Sequence, residues 1–146
     1  MEHLTIGVVY HDEYIGNDFY ARQILIRNIY GHGWGFPEFT IKSSQSITES
    51  FLCRLEQETE GRYRIEWKES LDFTIIHEGQ LVKVYIFDFE GHISSKSGIS
   101  YIRVVNDVMP YQFTTLAKII LNRLPQPEIK KSPQLLQTPT YDETMG

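Results

Sequence analysis

The stretch from Gly33 to Gly61, GWGFPEFTIKSSQSITESFLCRLEQETEG, constrains the fold more than any other. It opens on a tight Gly/Trp/Pro corner, continues as a polar loop and runs into one helix. Ser46 is a good N-cap residue, and Glu49 three positions later completes a capping box. Phe51, Leu52 and Leu55 then share one apolar stripe at about 100° per residue, the stripe that faces a core. Arg54, Gln57 and Glu58 lie on one polar flank, with Cys53, Glu56 and Glu60 on the far side. Gly61 suits the left-handed position just beyond a helix end. The spacing therefore predicts a helix from Ser46 to about Glu60.

The segments around it read as strands. Leu4–Tyr10 is a β-rich run. In Gln23–Ile29, Ile24 and Ile26 share one face while Leu25 and Arg27 share the other. Between these strands, His11–Asp18 is a turn-rich polar loop. Tyr30–Gly35 is a glycine-rich aromatic loop without the Lys-Ser/Thr ending of a phosphate loop. After the helix come strands at Tyr63–Trp67 and Leu71–Ile76, a turn at His77–Gln80, and a strongly alternating strand at Leu81–Phe89. The last two read as a hairpin. In Leu81–Phe89, the odd positions through Phe87 and Phe89 face one way, and Val82, Val84, Ile86 and Asp88 the other. A polar loop at Glu90–Gly98 precedes a short strand at Tyr101–Val105. Pro110 suits the first turn of a second helix, and Phe113, Leu116, Ala117, Ile120, Leu121 and Leu124 give it an amphipathic stripe. There is no internal repeat.

This stretch resembles the Nudix box. The family pattern is Gly, five residues, Glu, seven residues, then Arg-Glu-hydrophobic-x-Glu-Glu-x-Gly, often after a Trp-x-Phe-Pro-Gly-Gly lead-in. Trp34-Gly35-Phe36-Pro37 matches the lead-in, but Glu38 and Phe39 replace its glycines. Gln45 stands at the first Glu position and Cys53 at the Arg position. Arg54 and Gln57 replace the next two carboxylates. Leu55 fits the hydrophobic position, Glu58 is the one box glutamate in place, and Gly61 arrives one residue late. The resemblance extends from about Leu4 to Leu124. It implies an α/β fold of the Nudix type, a mixed β-sheet sandwiched between helices, with the box helix on one side and Pro110–Leu124 on the other.

Nudix hydrolases are similar in using box carboxylates to hold magnesium or manganese against a substrate diphosphate, and hard divalent cations prefer charged oxygen ligands. Gln45 and Gln57 keep an acceptor oxygen but lose the charge. Arg54 puts a permanent cation where a ligand belongs. Three readings of Arg54 stay open: a pair with Glu58 at i,i+4, a direct phosphate contact, or part of an unusual metal site. The function that follows is a catalytically degenerate Nudix-fold protein binding a nucleotide, a nucleoside diphosphate derivative or a short RNA. Its ligand-binding candidates are Arg27, Trp34, Gln45, Arg54 and Gln57. Trp34 or Tyr30 would stack a base, and Arg27 and Arg54 would meet phosphates. The alternatives are a divergent hydrolase of nucleoside diphosphates linked to another moiety, and a scaffold with a vestigial pocket. In the hydrolase Glu58 would be both catalytic residue and ligand for Mg or Mn; otherwise no cofactor is expected. Asp88 or Glu90 would supplement Glu58 there.

Composition narrows the classes further. A chain of 146 residues fits one domain with a real core. A net charge of −5 argues against non-specific nucleic-acid binding, which needs a basic face. The single cysteine, Cys53, rules out an internal disulfide and is weak evidence for a thiol nucleophile. None of the five histidines lies at i,i+4 from another, so there is no helical zinc pair. No apolar run approaches membrane-spanning length, so neither a membrane nor a non-cytoplasmic location is expected. Residues 1–124 read as the Nudix-like domain. Residues 125–146, with four of the six prolines, read as a flexible, dispensable tail; the alternative is a tail that orders only on the body, a protein partner or a second copy in a homodimer.

Overall fold

The computed structural model describes residues 3–99 and 101–127. In chain order the elements are β1 (His3–Gly16), β2 (Phe19–Ile29), β3 (Gly33–Gly35), α1 (Ile47–Glu56), β4 (Thr59–Glu60), β5 (Tyr63–Trp67), β6 (Phe73–His77), β7 (Gln80–Gly91), β8 (Ser94–Ser95), β9 (Ile102–Val105) and α2 (Thr115–Arg123). The main sheet has seven strands in the order β3-β2-β1-β7-β5, with β6 also on β7 and β9 also on β2. It is mixed. β1 and β7 run parallel from His3↔Leu81 to Val9↔Phe87, while β5 and β6 pair antiparallel with β7. A two-stranded ribbon, β4-β8, lies apart.

Strand alternation sorts the core into two layers. Ile6, Val8, Ile24, Ile26, Val82, Val84 and Ile86 pack with Ala117 and Ile120 of α2. Val9, Leu25, Phe87 and Phe89 pack with Phe51 and Leu55 of α1. The sheet is thus a layer between two helices, the mixed α/β sandwich expected from the sequence. The faces expected for β2 and β7 are the observed ones. Phe51 stacks on Phe87 with centroids 4.4 Å apart and planes at 12°. Gly7 makes room for it, because a Cβ there would stand 2.1 Å from Phe51 Cε1.

Several boundaries differ from expectation. The His11–Asp18 loop is mostly strand: β1 runs on to Gly16 and turns through Asn17 and Asp18, both at positive φ. Asx residues tolerate that conformation, so a two-residue hairpin turn replaces the loop. Residues 12–21 belong to a separate compact unit, in which Tyr14 and Tyr20 meet edge to face at 5.3 Å. The glycine-rich loop contains β3, which pairs with Arg27–Ile29. Leu71 ends a short 3-10 turn (Glu69–Leu71) and β6 starts at Phe73.

The box helix has its expected start: Ser46 Oγ accepts from the Glu49 N–H, and the Glu49 carboxylate accepts from the Ser46 N–H. Its buried residues are Ser50, Phe51 and Leu55, while Leu52 is half-buried. It ends a turn early, at Glu56. The Thr59 hydroxyl donates to the Leu55 carbonyl at 2.9 Å and draws the chain into β4. Gly61 does adopt positive φ, at +119°, but in the turn before β5, where a Cβ would lie 2.2 Å from the His92 carbonyl oxygen. Pro110 does not open α2. Trp34 bridges to Phe113, and Thr114 is the N-cap, accepting from the Ala117 N–H. No helix of the described residues is long and apolar enough to cross a membrane. The expectation for the 125–146 tail concerns residues that, beyond 127, lie outside the described ones.

Candidate functional site

α1 and the loop before it border a cleft of about 620 Å³. The loop is fastened to β1: the Gly7 N–H donates to the Pro37 carbonyl and the Phe39 N–H to the Thr5 carbonyl, each at 3.0 Å. The first half of β1 is thereby paired on both edges. Phe39 turns inward and is buried, edge to face on Phe51 at 5.0 Å. Phe39 thereby adds a large aromatic surface to the α1-side core. The following residues then pass over the cleft. Ser50, buried on α1, accepts from the Lys42 N–H at 3.1 Å and donates to the Gln45 side-chain oxygen at 3.3 Å. The cleft is lined by His3 and Thr5 of β1, Glu38 and Lys42 of the loop, Cys53 and Arg54 of α1 and Gln57 at its C-cap, among others.

Beside the cleft stands an ion cluster. Glu58 lies just past the C-terminus of α1, where the early end of the helix turns it toward the sheet. Arg27 of β2 meets it as a fork, Nε to Oε1 and Nη2 to Oε2, both at 3.0 Å. Arg54 approaches from one helical turn back, Nη1 to Oε1 at 3.2 Å. The Tyr101 hydroxyl completes the set, while its ring lies under the Arg27 guanidinium at 5.0 Å. The Glu58 side chain is only 9% exposed, against 26% for Arg27 and 24% for Arg54. Burial pushes the Glu58 carboxyl up. The hydrogen bonds from Arg27 and Tyr101 and the charges of Arg54 and Arg27 outweigh it and hold the group below its ordinary range. The same pairing raises Arg27 further. The i,i+4 pair expected from the sequence is present, but on a buried carboxylate and not on a solvated face.

This donor set does not fit a divalent cation. Both oxygens of Glu58 are held by guanidinium groups, those of Arg27 and Arg54. A cation at Glu58 would have to displace Arg27 and lie against Arg54, at a large electrostatic cost. Among the described residues no three His, Cys, Asp or Glu side chains group to hold a metal. Asp88 and Glu90 lie elsewhere: Asp88 bonds His11 Nδ1 at 2.8 Å, Glu90 pairs with Arg64, and both line a different, smaller cleft.

Of the ligand candidates, Arg54 and Gln57 line the main cleft. Arg27 reaches Arg54 through Glu58. Gln45 contributes indirectly, by holding Ser50. Trp34 is not among them. It belongs to the α2 layer, edge to face on Tyr111 at 5.1 Å, with the Arg103 guanidinium 5.2 Å from its ring. Tyr30 is 95% exposed on the β2–β3 connection. Lys42 and Tyr101 are among the site residues that the sequence did not single out. Lys42 was visible as a charge in the loop before the box helix. Tyr101 carried no local signal: it arrives because Ile102 pairs with Arg27 when β9 adds to β2.

Comparison with known proteins sets the fold in context. No protein-family model matches this chain, and no curated protein matches it in sequence. Among solved structures, it is similar to the NUDIX domain of Shewanella oneidensis NrtR, solved in complex with ADP ribose. The TM-score is 0.51 at 14% identity, with 84% of each chain covered. This likeness places the fold in the Nudix class.

Proposed function

We propose that this chain is a Nudix-fold binding domain that holds a nucleoside diphosphate derivative of the ADP-ribose kind in the main cleft and does not hydrolyse it. The observation that carries the reading is the charge of the cleft wall. Arg54 and Lys42 both line the cleft against one lining carboxylate, Glu38, so the lining keeps one net positive charge, while Arg27 and Glu58 beside it offset each other. A fixed guanidinium pairs with phosphate without a metal. The volume, about 620 Å³, lies within the range of small-ligand pockets, roughly 300–1,000 Å³. It favours a small nucleotide over an RNA segment, which the overall charge of −5 also disfavours. The structural relative is itself solved with ADP ribose. What supports the non-hydrolytic part of the reading is that arginines hold both oxygens of Glu58, which a metal-assisted attack would need free.

The test is calorimetry with ADP-ribose in the presence of EDTA, beside product analysis with magnesium or manganese. Binding that survives the chelator, with no product, supports the proposal. Turnover above roughly 1 s⁻¹ overturns it in favour of a hydrolase.

A further inference from the structure

Glu58 is the only box glutamate in place, so its chemistry decides what kind of site this is. Oε1 accepts from Arg27 Nε and lies 3.2 Å from Arg54 Nη1, so one oxygen joins two guanidinium groups from different elements. Arg27 is itself fixed twice, by the fork to both oxygens and by the Tyr101 ring. Tyr101 in turn is tied to β2, its carbonyl accepting from the Asn28 N–H. The order of rigidity therefore runs from the sheet to Arg27, then to Glu58, and last to Arg54 at the cleft.

We propose that Glu58 is a positioning residue: held by Arg27, it fixes the Arg54 guanidinium in the cleft wall as a metal-free receptor for an anionic group. Arg54 sits on the last turn of α1, where its long side chain has many rotamers. Freezing those rotamers before a ligand arrives removes an entropic cost from binding. A carboxylate that orients a cation has the opposite requirement from one that ligates a metal. It must already be neutralised and hydrogen-bonded, as Glu58 is. The anion-binding half of this inference rests on the reading of the cleft given above; the positioning half stands on the geometry of the three side chains.

The experiment has two arms. In the first, the rotation of the guanidinium groups is followed by 15N NMR on arginine-labelled protein without ligand, with Arg27→Lys and Arg54→Lys used for assignment. Hindered rotation is expected for both Arg27 and Arg54. Glu58→Gln, and separately Arg27→Lys, should return Arg54 to free rotation. If Arg54 rotates freely in the natural protein, or is unaffected by Glu58→Gln, the proposal is overturned whether or not any ligand binds. Manganese-induced broadening centred on residue 58 would overturn it too.

In the second arm, ADP-ribose and inorganic pyrophosphate are titrated in EDTA into the natural protein, Glu58→Gln, Arg54→Ala and the double variant. Glu58→Gln should weaken binding at least tenfold, Arg54→Ala at least as much, and the double variant no more than Arg54→Ala alone. An equal loss from Glu58→Gln in the Arg54→Ala background would mean Glu58 supports only the general fold, and would overturn the proposal. Arg27→Lys keeps the charge but not the fork, and serves if Glu58→Gln does not fold. Absence of ADP-ribose binding with Arg54 still fixed by Glu58 rejects the ligand proposed above and leaves the positioning role supported by the first arm.

Discussion

The two faces of the sheet are built on the same alternation and end in different chemistry. On the α2 face, apolar strand positions meet Ala117 and Ile120, and the aromatic residues at its edge are spent on one another. Trp34 there fastens the start of the helix: its N–H donates to the Gln112 carbonyl and its carbonyl accepts from the Thr114 N–H. On the α1 face the same kind of layer, Leu25, Phe51, Leu55 and Phe87, is interrupted at its rim by Arg27, Glu58 and Arg54. Strand alternation puts Arg27 on that face, next to Leu25 but two residues on. The comparison teaches that the polar cluster is not a leftover of packing. A half-buried ion cluster contributes little net stability compared with apolar side chains of similar volume.

The largest effects should come from breaking each layer at its centre. Phe51→Ala, at a fully buried ring stacked on Phe87, should cost about 3–5 kcal/mol, and Ile120→Ala about 2–5 kcal/mol. Denaturant titration measures both. Ile120→Ala, once folded, should leave ADP-ribose affinity unchanged, whereas Phe51→Ala should lower it as well. Equal damage to affinity from the two changes would erase the distinction between the faces. Gly7→Ala should behave like Phe51→Ala, and Phe51→Leu should partly restore it, because the conflict is between the new methyl and the ring.

Next in size is the contrast between Arg54 and Trp34. Arg54→Ala should weaken ADP-ribose binding by about 1.5–3 kcal/mol, the range for a hydrogen bond to a charged group. Trp34→Phe should change the melting temperature and not the affinity. An affinity loss from Trp34→Phe would mean that the ligand extends to the α2 side.

A smaller effect separates two carboxyl groups by pH. Because the Glu58 carboxyl is held below its ordinary value of 4.5, its contribution is fully present above that pH and is lost as the pH falls through the lower folded-state value. The Asp72 carboxyl, pushed up by burial despite bonds from the Ile86 N–H and the Trp67 indole, works in the opposite sense. Glu58→Gln should cost about 1–3 kcal/mol near neutrality by leaving two guanidinium groups short of a partner. It should also make the acid limb of a melting-temperature profile shallower. Parallel acid limbs for the two proteins would contradict the assignment.

The smallest effect expected is on metal affinity. The triple change Gln45→Glu, Arg54→Glu, Gln57→Glu should make manganese binding detectable by calorimetry, but weakly, because Arg27 still holds Glu58 and residue 45 faces Ser50. Adding Arg27→Met should strengthen it. No difference between the triple and quadruple variants would show that Arg27 does not govern access to Glu58.

How much of this was legible in the chain depends on the range of the interaction. The capping box at Ser46 and Glu49, the faces of β2 and β7, the Glu78–Gly79 hairpin turn and the amphipathic stripe of α2 are set by residues a few positions apart, and local rules read them correctly. The Arg54–Glu58 pair is likewise an i,i+4 matter. The end of α1 was not readable, because it depends on a hydroxyl four residues away competing with continued helix, and on Arg27 drawing Glu58 aside. The separation of Trp34 from Arg54 was not readable either: in sequence both flank one loop, and only the sheet between the two layers assigns them to opposite sides. Tyr101 reaches Glu58 only because β9 pairs with β2, a contact between segments more than seventy residues apart. The amino-acid order alone settled which side chains are present, Gln45, Arg54 and Gln57 among them, and so which charges could come near the cleft. Tertiary structure decided where those charges point, because the orientation of a flexible guanidinium is fixed by partners that the chain brings together only on folding.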